Sequence, residues 1–254
     1  MLIICFLTTK ERVIPKQEQK STLAEDLKDL SKNKPWLIML VVTTLVFITL
    51  AMKGGSYVYY FENYVDKAEL TSFLLPFKKF LPTFENDTSL GLGVFNGGGI
   101  LVGLIGIMLS QWFANKYGKR NVFMGSLFIS TLFIIFFYFT SPKSIAVIFT
   151  AQILHGFFYG ISTPILWTMI ADVADFSEWK NNRRATAIIF SAMMVGLKAG
   201  LSIGSSLVSF ILGKYHYVAN SKTGQTAEAI KGTKMLISIY PAITFLIAVA
   251  FVIF

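Results

Sequence analysis

Six apolar stretches, each long enough to cross a membrane as an α-helix, constrain this chain more than any other feature. Inside a bilayer the backbone must satisfy its hydrogen bonds internally, which favours helices. Of the 254 residues, 54% are hydrophobic and only 15% are charged, a composition that excludes an ordinary soluble domain. The sequence therefore predicts an all-α integral membrane protein with six transmembrane helices. The predicted spans are Trp36 to Tyr64, Leu90 to Ala114, Val122 to Thr140, Ile145 to Ala171, Thr186 to Gly213 and Met235 to Phe254.

The distribution of charge divides the chain into three parts. Residues 1–7 are apolar and indicate the end of a preceding transmembrane helix, residues 8–34 form a polar linker, and residues 35–254 form the six-helix bundle. Residues 8–34, 115–121 and 175–184 carry most of the lysines and arginines and lie on one side of the predicted membrane. Positive charge favours the cytoplasmic side, so we expect the linker there and the protein in the plasma membrane of the cell.

The net charge of +9 does not indicate a nucleic-acid partner, because the basic residues lie in loops between apolar runs. The single cysteine, Cys5, excludes an intramolecular disulfide and offers no metal cluster. Gly156, Gly160 and Pro164 predict kinks in the fourth span. The Phe- and Leu-rich segment from Phe73 to Phe84 is typical of a segment that lies on the bilayer surface.

The fifth span contains a lysine, Lys198, well over two turns from either end of the apolar run. At about 100° per residue, Gly196, Gly200 and Gly204 form one narrow stripe, a pattern that lets another helix approach closely. Lys198 falls nearly opposite that stripe. A buried lysine that extends to the headgroups is the structural alternative, but the position favours a polar cavity. The predicted cavity face carries Ser191, Met194, Lys198, Ser202, Ser205 and Ser209.

The first span contains a second lysine, Lys53, followed at helical spacing by Tyr57 and Tyr60. A lysine at the membrane interface beside an aromatic belt and a lysine that lines a cavity both explain this pattern. His155, alone in the fourth span, is interpreted as a packing or hydrogen-bonded histidine.

The connection between the fourth and fifth spans is densely charged. Its acids recur every three residues and its bases follow, in a helix end that we place at the cytoplasmic mouth. The charges could cap helices and set topology, form ion pairs that close the cytoplasmic side, or, as a remote alternative, hold Mg²⁺ in a membrane transferase. The transferase interpretation needs a second acidic motif, which the sequence lacks. The predicted gate residues are Asp172, Asp175, Glu178, Lys180, Arg183 and Arg184.

The block ADVADFSEWK at residues 171–180, followed by Arg183, Ser191, Lys198 and Gly200, resembles the signature of the glycoside–pentoside–hexuronide:cation symporters. That family belongs to the major facilitator superfamily. The segment Tyr59-Tyr60-Phe61 with Tyr64 also agrees. So does the basic turn Tyr117-Gly118-Lys119-Arg120, which resembles the superfamily's motif between helices eight and nine. Phe176 and Asn181 depart from the family's usual residues. The resemblance covers helices seven to twelve.

The resemblance implies the carboxyl-terminal six-helix bundle of a twelve-helix fold, built as two inverted repeats. It implies that Lys198 on helix eleven faces the cation and sugar sites, and that Trp167 and Met194 lie at the sugar cavity. The family's cation-binding acids and its main sugar-binding carboxylate belong to helices one to four, so an amino-terminal half is the expected partner. The predicted cavity residues are Lys198, Trp167, Met194, Ser191, Ser202, Tyr60 and Lys53.

The predicted function is therefore secondary transport of a sugar or glycoside coupled to Na⁺ or H⁺. The lipid bilayer is the expected environment of the protein. Neither catalysis, a resident metal nor another cofactor is expected. Two further alternatives stay open: a major facilitator transporter of a lipid or drug, and a membrane half that does not transport.

Overall fold

The computed structural model describes residues 8, 23–79, 86–181, 186–219, 221 and 224–253, and within these ranges every regular element is helical. The all-α prediction is confirmed. The predicted segment 1–7, most of the linker, and the gate residues Arg183 and Arg184 lie outside the described residues. The helices are α1 (Leu23–Lys32), α2 (Lys34–Asn63), α3 (Lys67–Lys78), α4 (Asp87–Tyr117), α5 (Lys119–Phe136, followed by a 3₁₀ turn Phe137–Phe139), α6 (Ile145–Asn181), α7 (Thr186–Lys214), α8 (Ala227–Ile237) and α9 (Ile239–Ile253).

Six helical segments are long and apolar enough to span a bilayer: α2, α4, α5 with its 3₁₀ turn, α6, α7, and α8 with α9. The six predicted spans are thus confirmed, although most helices extend beyond the apolar runs. Local caps explain some of these extensions. Asn33 accepts a hydrogen bond from the Trp36 backbone N–H at the start of α2, and Asn86 caps α4 through the N–H of Ser89.

The last span begins earlier than predicted and is interrupted. Thr226 caps α8 by accepting from the N–H of Ala229, so the helix starts eight residues before Met235. Ser238 then leaves the helical conformation, with φ −123° and ψ −80°. Pro241 lacks the N–H that would bond to the carbonyl of residue 237, which explains why the helix is interrupted here.

The fourth span is one continuous helix of 37 residues, α6, that includes the charged connection to Asn181. At about 1.5 Å per residue this helix is about 55 Å long, well beyond the ~30 Å hydrocarbon core. The acids of the ADVADFSEWK block therefore extend past the apolar part of the bundle. We call the end formed by residues 117–121 and 172–180 the charged end.

The glycine stripe of α7 packs directly on α2, which confirms the predicted close approach of another helix. A Cβ atom at Gly200 would lie 2.5 Å from the Thr44 carbonyl oxygen, and one at Gly204 would lie 2.6 Å from that of Ile48. Since real Cβ contacts are longer, only glycine allows the two backbones to approach this closely.

Gly156 and Gly160 of α6 have a packing role that the sequence analysis did not predict. They face Gly99 and Gly103 of α4, and a Cβ at either α6 glycine would overlap the facing carbonyl oxygen. The helix is continuous through both glycines and through Pro164, and the predicted kinks stay a prediction. The glycines thus serve close contact between two helices.

The end opposite the charged end is filled by aromatic rings, and we call it the aromatic end. Phe61, Phe95 and Phe137 are almost completely buried there. Helix α3 overlaps the segment predicted to lie on the bilayer surface at residues 73–78. It packs against the bundle through Leu70 and Leu74, while Leu75 is exposed. The rest of that segment, residues 80–84, lies outside the described ranges.

Lys67 connects three elements at the aromatic end. Its Nζ donates to the carbonyl of Phe61, at 2.7 Å, and to the hydroxyl of Thr88, at 3.0 Å. Burial lowers the pKa of the Lys67 ammonium, and the nearby Glu62 carboxylate partly offsets this effect.

Candidate functional site

A cavity of about 400 Å³ lies between α2, α4 and α6, with Phe245 of α9 also in its wall. It exists partly because glycines on α4 and α6 leave no side chains between the helices. On α2 and α6 its polar side chains come one helical turn apart, so that they share a face of each helix, and α4 adds one more. They are Thr49, Lys53, Tyr57, Asn96, Gln152, His155, Tyr159 and Thr163.

Lys53 is the cationic group of this cavity, and its side chain is 3% exposed. The Nζ atom lies 5.7 Å from the ring centroids of Tyr57 and Phe137. It has no hydrogen-bond partner among the described residues. The aromatic faces attract a cation weakly, but they do not replace hydrogen-bond acceptors. The structure thus places Lys53 in the cavity position that the sequence left open.

Two polar pairs fix the cavity wall. Tyr57 donates from its hydroxyl to Oε1 of Gln152 at 3.2 Å, which joins α2 to α6. His155 is buried, and its Nδ1 hydrogen-bonds with the Ser130 hydroxyl of α5 at 2.7 Å. The interpretation of His155 as a hydrogen-bonded histidine is confirmed, and its ring also lines the cavity.

Tyr60 does not line this cavity, although its spacing places it near Lys53 on the helix. It is completely buried at the aromatic end, where its hydroxyl lies 3.3 Å from the Thr140 hydroxyl and its ring packs against Phe137. One helical turn beyond Tyr57, packed rings fill the space. Tyr60 thus packs at the aromatic end of this bundle, and its predicted role at the sugar and cation cavity stays a prediction.

The predicted polar face of α7 is present but lies apart from the Lys53 cavity. Ser191, Met194, Lys198 and Ser202 are all exposed on the side of α7 away from its glycine stripe. Trp167 of α6 is half-buried against the core. The lining of the Lys53 cavity contains none of these five residues. The structure thus separates the predicted cavity residues into two surfaces.

At the charged end, Asp172 pairs with a base that the sequence-based gate did not include. The Nζ of Lys119, at the start of α5, lies 2.7 and 2.8 Å from the two carboxylate oxygens. Lys119 belongs to the basic turn that carries the family resemblance, so the sequence contained the residue but not the pairing. The neighbouring Arg120 donates from Nε to the Val252 carbonyl at 2.9 Å, which connects α5 to α9.

The other predicted gate residues that the structure describes, Asp175, Glu178 and Lys180, are exposed at the same end. Asp175 and Glu178 follow Asp172 at intervals of three on α6, and the Lys180 ammonium lies 6.0 Å from the Phe176 ring. The charged block thus extends along one helix past the Lys119 contact.

Comparison with known proteins gives a match of the whole chain, residues 1–254, to the family model described as MFS/sugar transport protein. The chain belongs to the glycoside–pentoside–hexuronide:cation symporter family of the major facilitator superfamily. This assignment agrees with the six-helix fold and with the signature block on α6. Members of this family are transporters, so the transferase alternative is set aside.

Three relatives illustrate the similarity. The chain is 27% identical to the inner membrane symporter YicJ of Escherichia coli (strain K12) over 98% of this chain and 49% of that protein. It is 28% identical to the isoprimeverose transporter of Lactiplantibacillus pentosus over 92% and 44%, and 24% identical to a glucuronide carrier protein homolog of E. coli (strain K12) over 95% and 48%. The chain spans about half the length of the curated relatives it matches.

Proposed function

We propose that this chain is the carboxyl-terminal half of a symporter that couples transport of a sugar or glycoside to a cation, Na⁺ or H⁺. The match of the sugar-transport family model to all 254 residues carries the proposal. Two of the similar proteins are named isoprimeverose transporter and glucuronide carrier protein homolog. These names support a substrate that is rich in hydroxyl groups. The partner is an amino-terminal six-helix half.

In this proposal the substrate binds between the two bundles, which expose it alternately to each side of the membrane. The polar face of α7 borders that space: Ser191 and Ser202 offer hydrogen bonds, and Met194 offers an apolar surface. Trp167 of α6 supplies an aromatic face for a sugar ring.

Lys198 is proposed to couple the cation to the sugar. Its ammonium is exposed on the polar face of α7, where carboxylates of the other half could approach it. A cation that neutralises those carboxylates would change the pairing of Lys198, and thereby the affinity for sugar. The coupling ion is a transported species, and no resident cofactor is proposed.

The inner gate is proposed to include the ion pair of Asp172 with Lys119, with Asp175, Glu178, Lys180, Arg183 and Arg184 nearby in the chain. The positive-inside rule places this charged end, and the linker before α2, in the cytoplasm. The name of the inner membrane symporter supports the plasma membrane as the location.

The coupling role of Lys198 predicts that Lys198→Ala removes the effect of the cation on sugar binding. The full-length product of the gene, reconstituted in liposomes, is tested for uptake of labelled glycosides under Na⁺ and H⁺ gradients. In the wild type we expect the coupling ion to raise sugar affinity by about 5- to 150-fold, the usual range of site-to-site coupling. In Lys198→Ala the sugar affinity measured with the coupling ion should be nearly the same as the affinity measured without it.

Lys214→Ala is the matched control, because Lys214 is an exposed lysine at the end of the same helix. Cation-coupled uptake at the wild-type level in Lys198→Ala would contradict the coupling role. If the protein takes up lipids or drugs but takes up no sugar, that result would instead support the alternative of a non-sugar transporter. A wild-type protein that moves none of these solutes would contradict transport itself.

A further inference from the structure

The ammonium of Lys53 is enclosed in its cavity without a compensating charge. Its side chain is 3% exposed, and the Nζ atom has no hydrogen-bond partner among the described residues. The cavity lining includes no aspartate or glutamate in the part of the chain that the structure describes. An ammonium without acceptors is costly to bury, above all in a membrane. A carboxylate placed beside it would therefore stabilise the folded protein.

The acids that follow Lys53 along the chain do not reach it. Glu62 comes nine residues later on α2, which places it about 14 Å along the axis and on the opposite side of the helix, and it is exposed. Asp66 caps the start of α3, and Asp87 pairs with Lys78 at 2.6 Å. The described part of this bundle therefore does not supply the missing charge.

The mouth of the cavity opens on an exposed strip of α2. With Lys53 at zero, Leu50 and Gly54 lie about 60° and 100° around the helix, and both are exposed. Thr44 and Ala51, which contact the glycine stripe of α7, lie about 160–180° from Lys53. The strip thus separates the cavity from α7. A second half that covers the polar face of α7 and this strip also covers the mouth of the cavity.

Two amide groups of the cavity wall suit a carboxylate. Oε1 of Gln152 accepts a hydrogen bond from the Tyr57 hydroxyl at 3.2 Å, which leaves the amide nitrogen of Gln152 to donate. Asn96 brings a second amide from α4. With the Lys53 ammonium, these groups offer a carboxylate donors from three helices, and hydrogen bonds to a charged group are the stronger ones. The volume of about 400 Å³ has room for an acidic side chain.

We propose that the Lys53 cavity receives an aspartate or glutamate side chain of the amino-terminal half, which forms an ion pair with the Lys53 ammonium. The inference rests on the second half that the proposed function includes. Lys53 lies nineteen residues after Lys34, at the charged end of α2, and ten residues before Asn63, at the aromatic end. The pair thus joins the two halves nearer to the aromatic end, away from the proposed inner gate.

A side chain of the second half fits this position better than a lipid does. Lys53 lies about 15 Å along α2 from Asn63, at the polar end of the helix, whereas lipid headgroups stay at the membrane surface. The acyl chains that reach the depth of Lys53 carry no charge. The curated relatives, in contrast, are about twice as long as this chain, which is enough for a second bundle.

The test measures thermal unfolding of the full-length gene product, without sugar, in nanodiscs of zwitterionic phosphatidylcholine. Lys53→Met should lower the unfolding temperature by about 4 °C or more, because it leaves the partner carboxylate buried and unpaired. Each aspartate and glutamate in the membrane spans of the amino-terminal half is then replaced by asparagine or glutamine in the Lys53→Met background. One of these replacements should return the unfolding temperature to within about 2 °C of the wild type, because neither charge remains.

The same acid replacement made alone should also lower the unfolding temperature, because it leaves Lys53 unpaired. Lys214→Met is the control, since it removes an exposed lysine and should not change the unfolding temperature. If Lys53→Met does not accumulate as folded protein, the amount of folded protein in the membrane becomes the readout, and the second substitution should restore it.

Three outcomes would overturn the ion pair while leaving sugar transport intact. Lys53→Met could unfold at the wild-type temperature or above, which would show that no acid pairs with Lys53. It could be destabilised without recovery through any single acid replacement, which would assign Lys53 a packing role. The destabilisation could appear only when anionic lipid is added to the nanodiscs, which would assign the partner to a lipid.

The failure of the proposed function has a different result. Absence of uptake of every solute, together with recovery of the unfolding temperature in one double variant, would contradict transport and leave the ion pair in place. A gene product that never assembles with an amino-terminal half would overturn the ion pair and the proposed function together.

Discussion

Lys53 and Lys198 both place an ammonium in the apolar part of a helix, but their surroundings differ. Lys53 is enclosed by rings and amide groups, whereas Lys198 is exposed on the face of α7 that points away from α2. An exposed ammonium can exchange partners when the opposite surface changes, while an enclosed one must find its partner inside the cavity. This difference is the reason for assigning the coupling role to Lys198 and not to Lys53.

The contact of Lys119 with Asp172 predicts an effect on the gate that exceeds its effect on stability. Both side chains are about half exposed, at 44% and 52%, so the pair should contribute at most about 1 kcal/mol to the folded state. The same energy is enough to change the ratio of the closed to the open conformation of the gate about fivefold. We expect Asp172→Asn to change uptake by about that factor while the unfolding temperature stays nearly constant.

A double variant that combines Lys119→Asp with Asp172→Lys should show uptake close to that of the wild type, because it rebuilds the ion pair with its charges reversed. Lys143→Gln, an exposed lysine near the aromatic end, serves as the control. Failure of the exchange to recover uptake, with normal amounts of folded protein, would argue that one of the two residues acts outside the pair.

At the scale of elements, two close helix contacts organise the bundle. The most extensive contacts join α4 to α6 and α2 to α7, and glycines lie in both. Both contacts use glycines spaced four residues apart, the small-xxx-small pattern of membrane helices. The cavity of Lys53 lies beside the α4–α6 contact, so the glycines that pack the helices also shape the site.

The α4–α6 contact predicts a large cost for a single methyl group. A Cβ at Gly160 would overlap the carbonyl oxygen of Gly103, so Gly160→Ala should destabilise the protein by about 1–3 kcal/mol, as overpacking does. Gly97→Ala is the matched control, because its Cβ meets open space on α4. There alanine should be neutral or slightly stabilising. Thermal unfolding in detergent measures both, and equal unfolding temperatures for the two variants would contradict the close contact.

The sequence predicted the six spans well because apolar length and periodicity are local properties. The interruption at Ser238 and the early start of α8 depend on Pro241 and on the Thr226 cap, which an apolar window does not detect. The four-residue spacing of Gly156 and Gly160 was visible, but the partner glycines on α4 were needed to show that they pack against another helix.

The site was less predictable, since its members come from different helices. Gln152 is three residues from His155 in an apolar span, a signal that could have identified it. The pairing of Lys119 with Asp172 spans 53 residues and needed the fold.

At the scale of the whole molecule, the exposed faces of the bundle require covering. The polar face of α7 carries Lys198, which is costly to leave against lipid hydrocarbon. The same helix has its glycine face filled by α2, so another surface must meet the serines and the lysine. A second six-helix half would do so, and the curated relatives have room for one because they are about twice as long as this chain.

This argument predicts the size of the protein in its native membranes. An antibody against a peptide of residues 214–234 should detect a band at about twice the 28.4 kDa of this chain, because both bundles then belong to one polypeptide. The matched control is the chain of 254 residues expressed alone, which marks the position of a single bundle on the same gel. A native band at that position would contradict the single polypeptide. The cation-binding carboxylates that Lys198 needs would then have to come from a separate subunit, and transport would depend on assembly of the two bundles.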